Sequence, residues 1–178
     1  MNKGGLEQAR GYPLSDDDLR KLLGRDISII TYPQLGEMSS IDECFDKKGR
    51  CILLFLTTGP QEGHWCCMLK KKDGIHFFDP YGEAPEEVKD AIPRPLLEQL
   101  DETRPYLTSL MRKSKLPIFY NTHGFQKERG DIATCGRHCA VRCLYAPYTL
   151  EKYKQIIDKS GMSPDDFVVG VTYDKLRK

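Results

Sequence analysis

The sequence predicts an α+β fold, with helices at both ends flanking a strand-rich middle. Three observations carry this. A continuous apolar run at residues 51–57 has strand length, Asp73-Gly74 marks a tight turn between two β-prone runs, and capped helical patterns open near Ser15 and again after Thr134.

The elements follow in order. Residues 14–24 read as a short helix: Ser15 suits the N-cap, Asp16, Asp17 and Asp18 suit the positive helix start, and Gly24 suits the exit. Residues 26–32 are rich in isoleucine and read as extended, and residues 51–57 as a strand buried on both faces. A hairpin comes next, with arms at 64–70 and 75–80 joined by a Lys-Lys-Asp-Gly turn at 71–74. Pro80 and Gly82 end its second arm. Prolines at 85, 93, 95 and 105 divide residues 84–111 into short helical pieces. Residues 116–120 read as another strand and 121–134 as a polar loop. Residues 135–145 form a helix entered through Thr134 as N-cap and stopped by Pro147. Thr149 caps a further helix that ends at Gly161, and Ser163-Pro164 opens a last one.

A chain of 178 residues suits one domain and can bury a core without metal or disulfide. The formal net charge of +1 argues against a dominant nucleic-acid footprint. Basic clusters at Lys70, Lys71 and Lys72 and at Arg112, Lys113 and Lys115 read as solvated turns, which leave room for an accessory polyanion contact. No apolar run approaches the length of a membrane span, and Met1-Asn2-Lys3-Gly4-Gly5 lacks the apolar core of a signal peptide. The expectation is a protein that is not secreted, whose seven cysteines are free thiols.

Cys135 is the best candidate nucleophile, because the first turn of a helix offers free N–H groups and a dipole that favour thiolate. Gly136 leaves space for a substrate backbone, while Cys139 and Cys143, at helical spacing, read as buried packing. A nucleophilic thiol needs a base, and the base an orienting group. The hairpin register pairs Asp79 across from Cys66, which makes His64 and Asp79 diagonal neighbours on one face. His138 is the local rival but reads as a surface polar residue. His76 falls on the face opposite Asp79, and nothing places His123. Trp65 projects away from His64 as a core anchor, although an indole can also wall a histidine's pocket. The Cys135 amide and the Gln126 side chain are candidate oxyanion donors.

Gly63-His64-Trp65, Phe77-Phe78-Asp79-Pro80-Tyr81-Gly82, Gln126 and Thr134-Cys135-Gly136-Arg137-His138 together resemble the adenovirus-type (adenain-like) cysteine proteases. The match spans residues 63–145 and is nearest to the viral branch of virophages and Polinton-type elements; SUMO-specific proteases share the His, Asp, Gln, Cys order. The resemblance implies one cysteine protease domain over residues 1–178, with a rearranged papain-like fold and a central mixed sheet flanked by helices. It implies His64 as base, Asp79 as orienting acid, Cys135 as nucleophile and Gln126 as oxyanion donor, with no cofactor. The nine-residue separation of Gln126 from Cys135 is longer than the family's usual spacing.

The implied activity is endopeptidase cleavage after glycine through a thioester, in the maturation of viral capsid precursors. The implied setting is the virion and the host cytoplasm or viral factory, for a monomer with no membrane partner and with a possible accessory DNA or peptide cofactor. Lys3-Gly4-Gly5-Leu6 resembles such a cleavage site in this chain itself. The alternatives are a deubiquitinase or SUMO-type protease, an acyltransferase with the same triad, and a non-catalytic zinc module using Cys66, Cys67, His138, Cys139 and Cys143.

Overall fold

The computed structural model describes residues 3–59 and 62–177. Among these residues it shows a mixed five-stranded sheet, in the order β1-β2-β3-β4-β5, flanked by seven α-helices. The strands are β1 (Ser28–Thr31), β2 (Arg50–Gly59), β3 (Glu62–Lys71), β4 (Gly74–Phe78) and β5 (Ile118–Tyr120). The outer pairs β1–β2 and β4–β5 are parallel; β2–β3 and β3–β4 are antiparallel.

Alternation along the strands divides the core in two. Ile52, Leu54 and Leu56 of β2 share one face with Trp65, Cys67 and Leu69 of β3. Cys51, Leu53 and Phe55 share the other with Cys66 and Met68. This is why the apolar run around residue 51 lacks an amphipathic period: both faces of β2 are covered. Gly63 permits the close β2–β3 approach, since a Cβ there would lie 1.8 Å from the Phe55 carbonyl oxygen.

The helices are α1 (Lys3–Arg10), α2 (Asp16–Leu23), α3 (Arg94–Gln99), α4 (Tyr106–Ser114), α5 (Cys135–Leu144), α6 (Leu150–Ser160) and α7 (Pro164–Leu176). The Ser15 hydroxyl and the Asp18 carboxylate form a reciprocal capping box at α2, and Thr149 and Ser163 cap α6 and α7. Residues 84–111 are broken into short pieces, as their prolines require. Among the described residues, no helix is long and apolar enough to cross a membrane.

The segment Lys3-Gly4-Gly5-Leu6, which resembles a cleavage site, forms the start of α1, which packs on α7. Two glycines weaken a helix, so it is this packing and the Arg10–Asp166 ion pair at 3.4 Å that hold it. The hairpin turns at 71–74 as expected, with Lys71 pairing with Gly74 at the end of the ladder. One expectation needs correction: the basic clusters are not turns but lie mostly in regular structure, with Lys70 and Lys71 in β3 and Arg112 and Lys113 in α4.

One buried acid opposes the fold. Glu102 is fully buried; its Oε1 accepts the Leu56 N–H at 2.8 Å, while Oε2 has no partner among the described residues. Burial pushes this carboxyl up to about 7. A raised acid disfavours its own ionisation in the fold, so stability falls as pH rises past the ordinary carboxylate range. Glu102→Gln is therefore expected to stabilise the protein by about 1–3 kcal/mol near pH ~8 and hardly at all near pH ~4, as read by denaturant melts.

Candidate active site

The hairpin places the first two groups. Its observed register runs from Lys71↔Gly74 to Cys67↔Phe78, and one step further sets Cys66 against Asp79. Two residues before Cys66, on the same face, stands His64. Its Nε2 lies 3.1 Å from Asp79 Oδ2. The expected diagonal relation is the one seen.

The third group arrives because β4 stops at Phe78, which leaves the first part of β3 without a neighbour on that side. The N-terminus of α5 fills this edge, and the Cys139 thiol donates to the Trp65 carbonyl at 3.2 Å. Cys135, the first residue of α5, thereby comes within hydrogen-bonding reach of the His64 ring. Since Nε2 faces Asp79, the thiol falls to Nδ1. The imidazole thus bridges a sulfur at a helix N-terminus and a carboxylate that is 1% exposed.

Each charge has a cause. Burial alone would raise the Cys135 pKa, but the His64 hydrogen bond and charge, with the backbone amides of Trp65 and Gly136, bring it below the ordinary thiol value. Burial would lower His64, but bonds to Asp79 and Cys135 outweigh it and raise the imidazole to about 10. Burial would raise Asp79, and the His64 and Cys66 bonds more than reverse it. All three shifts favour thiolate, imidazolium and carboxylate together.

Around these three side chains stand residues that the sequence left unassigned. The fully buried Cys66 thiol donates to Asp79 Oδ2 at 3.1 Å, the same oxygen that holds His64. The Tyr81 amide donates to Asp79 Oδ1 at 2.6 Å. Asn121 clamps the Asp79 backbone from both sides: its Oδ1 accepts the amide at 3.0 Å, and its Nδ2 donates to the carbonyl at 2.6 Å. The Tyr81 ring stacks on His64, with centroids 4.9 Å apart. Tyr81, and not Trp65, therefore walls the histidine. Trp65 lies in the other core, its Nε1 donating to the Leu14 carbonyl at 3.1 Å.

Gln126 is buried, and its Nε2 donates to the Tyr81 hydroxyl at 3.1 Å and to the Ile132 carbonyl at 3.4 Å. Through Tyr81 it borders the His64 ring. The remaining expectations fare unevenly. His76 pairs with Asp73 at 2.9 Å and stacks on Phe119, away from His64 and Asp79. His123 packs edge-on against Phe125.

Gly136 does not open space for a substrate. A Cβ there would meet Leu14 and Trp65 at 3.0 and 3.2 Å, so the missing side chain serves helix packing. Nor is His138 a surface residue. It is fully buried, with Nε2 3.1 Å from Asp165 Oδ1. That same oxygen accepts the Thr134 hydroxyl at 2.5 Å, so Thr134 occupies the N-cap position of α5 without capping it through its side chain. An N-cap hydroxyl normally turns back to its own helix; here the Asp165 carboxylate, a stronger acceptor, draws it away.

The five residues of a zinc module do not converge. Cys66 faces one core and Cys67, Cys139 and Cys143 the other, while His138 is engaged by Asp165. All seven cysteines are free thiols.

No family model matches the chain. It is 34% identical over 164 residues to the uncharacterized protein V9 of Sputnik virophage, an overlap covering 89% of this chain and 93% of that protein. Two solved structures share part of its shape. The central domain of the uncharacterized Lpg1148 protein from Legionella pneumophila aligns with a TM-score of 0.46 at 16% identity, over 93% of this chain and 96% of that one. SUMO protease Ulp1, with its catalytic cysteine oxidized to a sulfinic acid, aligns with a TM-score of 0.36 at 16% identity, over 99% and 78%.

Proposed function

The chain belongs to the family of the Sputnik virophage protein V9; from that viral kinship, we propose that it is a cysteine endopeptidase that matures viral precursor proteins. The observation that carries this reading is the single imidazole held between the Cys135 sulfur and the buried Asp79 carboxylate.

In the proposed mechanism His64 Nδ1 holds the proton of Cys135, and the thiolate attacks the scissile carbonyl. The oxyanion takes hydrogen bonds from the Cys135 amide and from Gln126 Nε2, which turns from Tyr81 and Ile132 to meet it. Imidazolium then gives its proton to the leaving amine, and water, deprotonated by His64, hydrolyses the thioester. Asp79 keeps the ring in the tautomer and orientation that this exchange needs.

The resemblance to adenain-like proteases supports cleavage after glycine in extended Gly-Gly-X or Gly-X sites, carried out in the virion or viral factory by one domain. Mass spectrometry with a panel of Gly-Gly-X peptides tests the reading, with Cys135→Ala as control. Cleavage of a ubiquitin-type C-terminal probe in preference to capsid-type peptides would move the substrate to ubiquitin-like proteins.

Two further outcomes are expected. Gln126→Ala should lower kcat by roughly 10²–10³ with little change in KM, since the donor is used only as negative charge develops; an unchanged kcat removes Gln126 from the oxyanion site. The pH profile of kcat/KM should be bell-shaped. Activity requires the thiolate, so it rises as pH climbs through the depressed Cys135 pKa; it requires the imidazolium, so it falls as pH passes about 10. A profile that climbs steadily through the ordinary thiol range would show that no preformed ion pair exists.

A further inference from the structure

Cys66 gives the site a second chemical capacity. Three side chains of different type, His64, Cys66 and Asp79, bring a nitrogen, a sulfur and an oxygen within 4.8 Å of one another. They are 8%, 0% and 1% exposed. Nitrogen, thiolate and carboxylate are the donors Zn²⁺ prefers, and His is its commonest partner.

Two of the three edges are already near the length the ion requires. With Zn–N and Zn–O near ~2.0–2.2 Å and Zn–S near ~2.3 Å, the edges of a tetrahedral site are about 3.3–3.6 Å. The Nε2–Oδ2 and Sγ–Oδ2 edges are both 3.1 Å here. Each needs to open by only a few tenths of an ångström, while the third edge, Nε2–Sγ, lies within 4.8 Å and closes to about 3.6 Å by rotation of the Cys66 side chain. The scaffold around the ligands is fixed: Tyr81 and Asn121 hold Asp79, and Tyr81 stacks on His64.

We propose that His64 Nε2, Cys66 Sγ and Asp79 Oδ2 form a Zn²⁺ site that switches the peptidase off. The proton balance is simple. Zn²⁺ enters, the Cys66 S–H and His64 Nε2–H protons leave to solvent, and the net charge of the site is unchanged. A cation then sits on the side of the ring where the carboxylate acted alone. With Nε2 on the ion, Nδ1–H belongs to a neutral imidazole, a far weaker acid than the imidazolium, so the leaving amine has no proton donor and the ring cannot serve as base for the water. Only this inhibitory consequence rests on the peptidase reading; the metal site itself does not.

The test uses the full chain carrying Cys135→Ala, which removes the other nearby thiol, titrated with Co²⁺ as a spectroscopic stand-in for Zn²⁺. The expected result is a thiolate-to-cobalt charge-transfer band with tetrahedral d–d absorption, saturating at one ion per chain and displaced by Zn²⁺. Adding Cys66→Ser should abolish the charge-transfer band and weaken Zn²⁺ binding by more than an order of magnitude. Serine keeps a donor to Asp79, so a folded variant is expected, and circular dichroism checks it. No thiolate band in the Cys135→Ala chain, or a band that survives Cys66→Ser, overturns the site.

In the unsubstituted chain, one equivalent of Zn²⁺ should stop peptide cleavage and a chelator should restore it. Metal bound through Cys66 without loss of cleavage overturns the inhibitory role. A chain that shows the Cys66 band yet cleaves no peptide counts against the peptidase reading alone, because the absorption requires no turnover.

Discussion

Replacing Cys135 by alanine is expected to lower kcat on Gly-Gly-X peptides by roughly 10⁶-fold while leaving the fold intact. The size follows from what is lost. Without a nucleophile there is no thioester, and only oxyanion donors and substrate binding remain to assist water. The fold persists because the Cys135 side chain lies at the margin of its core, packed against it but only partly buried. His64→Ala should cost a comparable factor, and the double variant little more than either alone, because thiol and imidazole act as one unit. Mass spectrometry of peptide products and a thermal melt read both quantities. Cleavage by Cys135→Ala at the parent rate would remove the nucleophile assignment; additive losses in the double variant would show that the two residues serve separate steps.

Much of this arrangement was legible in the residues, and the hairpin shows why. An antiparallel ladder has a period of two, so one turn fixes every pairing along both arms. Asp73-Gly74 therefore sufficed to set Asp79 across from Cys66 and diagonal to His64. The same register also brings the Cys66 and Asp79 side chains together. Residues opposed across a ladder are in contact, and the Cys66–Asp79 hydrogen bond is that contact.

What stayed hidden depends on distant chain segments. His138 lies beside Cys135 in sequence, and its polarity suggested solvent, but α7 brings Asp165 onto it. Gly136 follows Cys135, which suggested substrate access, but Leu14 and Trp65 occupy that side. Helix α1 has glycines at its start and gains its stability by packing on α7. In each case a partner separated by many residues decides the outcome, and no local propensity encodes it.

Asp79→Ala is expected to lower kcat by roughly 3 × 10⁴-fold and to destabilise the fold as well. The two losses have different origins. Activity falls because the ring can then turn or adopt the wrong tautomer, so Nδ1 no longer faces Cys135 as a base. Stability falls because the His64 ring, the buried Cys66 thiol and the Tyr81 amide all lose their acceptor. A deficit of about 3 kcal/mol or more is expected from breaking a buried ion pair. The deficit should depend on pH with a definite sign. Asp79 is depressed, so its contribution is present above its unfolded pKa and is lost as pH falls through the folded one. His64 is raised, so its contribution is complete below its unfolded pKa and is lost as pH climbs towards about 10. Parent and variant should therefore differ most between about pH 4 and 6.5, where both groups are charged even in the unfolded chain. Asp79→Asn separates the two effects. The amide oxygen can still accept a hydrogen bond, so most of the stability and part of the activity return. The negative charge that holds the His64 proton is gone, so the alkaline limb of the pH profile moves to lower pH. Histidine titration followed by NMR, together with denaturant melts, reads both shifts. An Asp79→Ala protein with the parent kcat would remove the carboxylate from the mechanism and leave it a purely structural role at the end of β4.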